Sequence, residues 1–116
     1  MRAREIAVVL GAITAPVLVG LAVWSQAAAG PADVSIQLFQ FRPGTLEVER
    51  GTEVTWTNQD DIRHTVTSGT PERRDAKFNA ELGGKGAATK VTFAEPGVYP
   101  YFCDRHQAMR GEIHVQ

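Results

Sequence analysis

Beyond Pro31, apolar and polar residues alternate with a period of two, in short runs broken by polar, Gly or Pro positions. That is the pattern of strands with one buried face. Val34, Ile36 and Leu38 alternate with Ser35 and Gln37, and the pattern shifts at Phe39 and Phe41, as a bend or bulge would shift it. Leu46 and Val48 alternate with Glu47 and Glu49, and the Arg50-Gly51 turn leads to a second run through Val54 and Trp56. Those two runs predict a hairpin. Asn58-Gln59-Asp60-Asp61 reads as a polar loop, and His64 opens the β-branched run Thr65-Val66-Thr67, so His64 is expected at a strand edge beside a loop. Residues 69 to 88, with Gly83-Gly84 and Gly86, are the least regular stretch, and a helical turn is expected around Ala76 to Leu82. Thr89 to Phe93 is a further strand, Glu95-Pro96-Gly97 a turn, and Val98 to Phe102 a strand running into Cys103. Gly111 to Val115 closes the domain with Ile113 and Val115 on one side.

Roughly seven short strands separated by turns predict an all-β fold, an antiparallel sandwich or barrel. An immunoglobulin-like domain would share the mid-chain Trp56 and a Tyr101 two residues before Cys103. Its disulfide needs a second cysteine, and the chain has one.

The first thirty residues follow another rule. Arg2 and Arg4 give a basic start, Ile6 to Trp24 carries no charge and is mostly apolar, and Ala27-Ala28-Ala29 offers a small-residue cleavage site. The apolar run is longer than a usual signal core and close to the length that spans a bilayer. Residues 1–30 therefore read as a signal peptide or an amino-terminal membrane anchor, attached through residues 6–24 in the second case, and 31–116 as one exported domain, periplasmic or otherwise outside the cytoplasm. A buried core helix is a poor alternative, because the run has no polar face and Pro16 interrupts it.

The exported part holds ten Lys or Arg against twelve Asp or Glu, so it has no basic footprint for nucleic acid. Its lone cysteine leaves a free thiol in an oxidising compartment unless something occupies it. A bound metal would do so, and would cross-link distant parts of the chain in place of a disulfide.

Cys103, His106 and Met109 stand three residues apart in Tyr-Phe-Cys-Asp-Arg-His-Gln-Ala-Met. Singly each is bland, since a lone Cys or Met is usually a core residue. Together a thiolate, an imidazole and a thioether form a soft, unequal donor set, and a second imidazole from His64 would complete the two-His, one-Cys plane with a weak axial Met that suits copper electron-transfer sites. Zinc is disfavoured by the thioether. Other polar groups have plainer roles. His114 alternates with Ile113 and Val115 and should face solvent. Asp60 and Asp61 suggest acid–base work, but beside Asn58, Gln59 and Arg63 they read as a solvated loop. Nothing resembles a Ser-His-Asp set, a phosphate loop or a nicotinamide site.

From about Phe39 to Val115 the chain resembles the cupredoxins, the small blue-copper family that includes plastocyanin, pseudoazurin and amicyanin. The resemblance rests on Val-Thr-Trp-Thr-Asn at 54 to 58, His-Thr-Val-Thr-Ser at 64 to 68, Pro-Gly-Val-Tyr-Pro-Tyr-Phe-Cys at 96 to 103 and Met-Arg-Gly-Glu-Ile-His-Val at 109 to 115. The short Cys-x-x-His-x-x-Met loop is more similar to amicyanin than to plastocyanin. The resemblance implies a Greek-key β-sandwich and one copper ion cycling between Cu(I) and Cu(II), with His64, Cys103, His106 and Met109 as ligands. It also implies a one-electron carrier rather than an enzyme, a monomeric domain meeting transient redox donors and acceptors, with His106 as the electron port. Two positions depart from the family. Thr65 replaces the Asn that usually follows the first ligand His, and Arg105 and Gln107 flank His106 where Pro is common. An exported copper-binding or copper-delivery protein without an electron-transfer role is the alternative.

Overall fold

The computed structural model describes residues 11–17, 20 and 31–116. The signal or anchor expected in residues 1–30 lies mostly outside them, and among the described residues no helix is long and apolar enough to cross a membrane. Period-two alternation beyond Pro31 resolves into nine strands: β1 (Ala32–Gln37), β2 (Gln40–Arg42), β3 (Thr45–Val48), β4 (Thr52–Asn58), β5 (His64–Gly69), β6 (Arg74–Leu82), β7 (Ala88–Phe93), β8 (Gly97–Phe102) and β9 (Arg110–Val115). They form a four-stranded sheet in the order β2-β1-β4-β7 and a five-stranded sheet in the order β3-β9-β8-β5-β6. The expected all-β sandwich is present. Val34, Ile36, Val54 and Trp56 from the first sheet meet Val66, Tyr101, Ile113 and Val115 from the second in one buried core. Trp56 stands at its middle, edge-on to Tyr101 at 5.3 Å and tilted against Phe78 at 5.8 Å.

Three local expectations fail, two for lack of a signal about strand partners and one because the alternation was obscured. The runs at 46–48 and 54–56 do not form a hairpin. Strand β3 pairs in parallel with β9, Val48 opposite Val115, whereas β4 sits between β1 and β7 in the other sheet. The Arg50-Gly51 turn carries the chain across the sandwich: Arg50 N–H donates to the Gln116 carbonyl, and Gly51 N–H to that of Phe93. Alternation fixes which face is buried and leaves the neighbour open. The sandwich is also not wholly antiparallel, because β1 pairs with β4 in parallel, as β3 does with β9.

The helical turn expected at Ala76 to Leu82 is instead strand β6, paired antiparallel with β5 from His64↔Leu82 to Thr67↔Asn79. Phe78, Ala80 and Leu82 turn inward while Lys77, Asn79 and Glu81 stay exposed, a period of two that the neighbouring glycines obscured. Phe78 gains Trp56 and Phe93 as ring neighbours, which a single helical turn would not provide.

Gly111 faces its strand partner Tyr101, whose ring lies across the space that a side chain would fill. Burial pushes the Tyr101 phenol up to about 12, so it stays neutral. Gly111→Ala forces that large ring to move within a close-packed core and should destabilise the fold by about 1–3 kcal/mol. Urea unfolding of the metal-free protein measures this; an unchanged midpoint would show the ring free to shift.

Candidate metal centre

The β8–β9 connection is wound by its own backbone. His106 N–H donates to the Cys103 carbonyl at 3.2 Å, Met109 N–H to that of His106 at 2.8 Å, and Cys103 N–H to that of Met109 at 3.1 Å. The three-residue spacing in the sequence is thus the repeat of two successive tight turns. At the same end, β5 begins with His64. Cys103 Sγ lies 3.8 Å from His64 Nδ1 and 3.6 Å from His106 Nδ1, and the three donor atoms fall within 4.8 Å of one another. His64 and Cys103 are wholly buried and His106 is half-buried. Met109 is buried at the end of the second turn, in the same apolar cluster as Cys103. His114 is not part of this group: it points outward and pairs with Glu112 at 2.7 Å, as its alternation predicted.

The departure at Thr65 has a structural answer. Its backbone N–H points at Cys103 Sγ, 3.4 Å away, and supports negative charge on the sulfur. Its hydroxyl accepts the Asp104 N–H at 2.7 Å and lies 3.0 Å from Thr67 Oγ1, which donates to Asn79 Oδ1. With the Thr67 hydrogen committed to Asn79, Thr65 donates to Thr67. A directed chain, Asp104 to Thr65 to Thr67 to Asn79, ties the loop to β5 and β6. Thr65→Val keeps the β-branched shape, breaks that chain and strands the Asp104 N–H. It should lower the stability of the metal-free protein by about 1–3 kcal/mol, read by denaturant unfolding, and a loss near zero would mean that the loop is held by its turns alone.

Asp60 corrects the solvated-loop expectation, whereas Asp61 stays exposed. The Asp60 carboxylate accepts the N–H groups of Leu38 and Phe39 at 2.8 and 3.0 Å and meets His64 Nε2 at 2.8 Å. Burial pulls its pKa upward, but the Phe39 amide, the His64 ring and the Leu38 amide together outweigh that and hold the carboxyl below its ordinary value. An ionised carboxylate only accepts, so His64 carries its hydrogen on Nε2 and turns the Nδ1 lone pair toward Cys103. Asn58 sets the loop that aims Asp60: its Oδ1 takes the Asp60 N–H, and its Nδ2 donates to the carbonyls of Ile62 and Leu82.

The two amides come from the tight turn between β1 and β2, where Leu38 and Phe39 both have left-handed backbones, φ 52° and 59°. For residues other than glycine this costs about 1–2 kcal/mol each. The bend expected at Phe39 is this turn, and it lays the Phe39 ring edge-on to His64 at 5.5 Å and to His106 at 5.0 Å. Neither Asp60 nor Phe39 was found as a site residue from the sequence. The one available signal was two large apolar residues in succession where the alternation breaks.

Two imidazole nitrogens and a thiol sulfur, convergent and with His64 and Cys103 wholly buried, with a thioether residue on the same loop, suit a soft, redox-active ion better than zinc. The chain matches the family described as copper binding proteins, plastocyanin/azurin family, over residues 28–116. It is 30% identical over 121 residues to amicyanin-alpha of Methylorubrum extorquens, across the full length of both. Amicyanin of Paracoccus denitrificans is 30% identical over 92 residues, 79% of this chain and 70% of its own. Among solved structures, a purple cupredoxin from Nitrosopumilus maritimus superposes with a TM-score of 0.67 at 30% identity, over 73% of this chain and 99% of that one. By motif, fold and donor set alike, the chain belongs to the plastocyanin/azurin family of copper-binding proteins, the cupredoxins, and copper is its cofactor.

Proposed function

We propose that this chain is an exported one-electron carrier in which His64 Nδ1, Cys103 Sγ and His106 Nδ1 hold copper and Met109 supplies a weak fourth donor. The observation that carries it is the burial of the donors on fixed elements: Cys103 and His64 are 0% exposed and Met109 4%. Bound copper would supply a single-electron couple between its +1 and +2 states. The protein's part is to move little. Asp60 fixes the His64 ring, Thr65 fixes Cys103 and the loop, and the two turns fix Met109, so the donors have little freedom to rearrange when the charge changes.

Only His106 of the four reaches toward solvent. Beside it Phe39 packs edge-on and is 50% accessible, its chain neighbour Leu38 is 68% accessible, and Gln107 and Ala108 are exposed on the same loop as His106. That face suits brief docking by a redox partner, with electrons passing through the His106 edge. Many rim charges are already paired, Arg74 with Asp104, Arg110 with Glu72 and Arg63 with Glu81. Copper delivery would favour an open, exchangeable site, and three buried donors oppose that. Export is proposed from the basic, apolar and small-residue succession of residues 2–29.

Mixing the reduced, copper-loaded protein with hexacyanoferrate(III) should remove one electron per copper, reversed by ascorbate over repeated cycles with the copper retained. Transfer of copper to a thiol chelator faster than electrons exchange would support delivery instead.

A further inference from the structure

Two L-residues with bulky apolar side chains occupy a left-handed turn that Asn and Gly usually fill. Leu38 and Phe39 remain largely exposed there, so core packing does not explain the choice. Local rules broken without a packing gain mark positions kept for function, and strained backbone persists only where its surroundings hold it. Here the holder is one carboxylate. Asp60 Oδ1 takes the Leu38 N–H, and Asp60 Oδ2 takes the Phe39 N–H and the His64 ring.

The consequence differs for the two imidazoles. His64 is oriented by a hydrogen bond. His106 has no such support: among the described residues its ring nitrogens meet only Cys103 Sγ, on the metal side. Its loop also lacks the flanking prolines that would stiffen it. What restrains the His106 ring is stacking, Phe39 edge-on at 5.0 Å and 88°, and His64 at 5.1 Å.

We propose that Asp60 and Phe39 are a linked pair of positioning residues: Asp60 orients His64 and holds the strained turn, and through that turn Phe39 clamps His106 and covers its open side. Phe39 thereby replaces the hydrogen bond that His106 lacks. The assignment rests on the ligand set proposed above, but its first consequence is present without metal.

Asp60→Ala, Phe39→Ala, Phe39→Tyr and Leu38→Gly separate the parts. In the metal-free protein, NMR should show a His64 Nε2–H proton protected from solvent exchange, retained in Phe39→Ala and lost in Asp60→Ala, which leaves no acceptor. In the copper(I) protein, Phe39→Ala should release metal to a chelator about ten- to a hundredfold faster, the usual cost of losing an outer-shell partner. Phe39→Tyr should restore the parent rate. Leu38→Gly, which relieves the strain at one left-handed position and keeps the ring, should release copper no faster than the parent. Failure of the parent to take up copper with Cys103 overturns the ligand set. A parent that binds copper normally while Phe39→Ala releases it at the parent rate, or while Asp60→Ala keeps the protected His64 proton, overturns the clamp.

Discussion

Cys103→Ser should abolish the intense visible absorption expected of the copper-loaded protein and leave a folded sandwich. With Cys103 holding the copper as proposed, the band would come from charge transfer between a polarisable thiolate and copper(II), and a serine hydroxyl supplies no such donor orbital. The fold should survive because the side chain is nearly the same size and the Thr65 N–H, 3.4 Å from the sulfur, remains as a partner for the new oxygen. The expected loss is complete, against an unchanged β-sheet circular dichroism spectrum. Retention of the band would remove Cys103 from the site.

Changes at Met109 should shift the reduction potential in opposite directions. A thioether donates modest electron density, and the copper(II) form gains more from it than copper(I). Met109→Leu should therefore raise the potential. The exchange nearly conserves volume at a position only 4% exposed, so it should cost less than about 1.5 kcal/mol of stability. Met109→Gln should lower the potential, because an amide oxygen is a harder donor that favours the oxidised metal. Voltammetry of the two variants checks both signs. Parent potentials and spectra in both would make Met109 a packing residue only.

Short-range chemistry was the part of this molecule most legible in its sequence. The spacing of Cys103, His106 and Met109 is local, set by two turns that need no distant partner, so the loop could be read directly. His64 was findable because it opens a β-branched run after a polar loop. The buried faces of β1, β4 and β9 followed from alternation alone. Strand partners did not, since β3 could meet β4 through a hairpin or β9 through the far end of the chain with the same inward residues. Strand β6 was hidden because its alternation begins only at Phe78, four exposed residues into the strand, and glycines follow it closely.

Asp60 shows the limit most sharply. Its role depends on amides 21 and 22 residues away, across a turn whose conformation neither Leu38 nor Phe39 advertises. From composition alone it matched its neighbour Asp61, which remains a solvent-facing loop residue. Thr65 was visible as a departure from the family, but the hydroxyl relay that makes up for it runs through Asn79 on β6, the strand that the sequence did not disclose.

A stoichiometric redox titration of the copper-loaded protein, followed by its visible absorption, tests the central claim most directly. An electron carrier should show an intense band in the yellow to red region that bleaches with one electron per copper and returns in full on reoxidation. A colourless protein that holds copper(I) and develops no such band on oxidation, or that loses the metal on cycling, would contradict it.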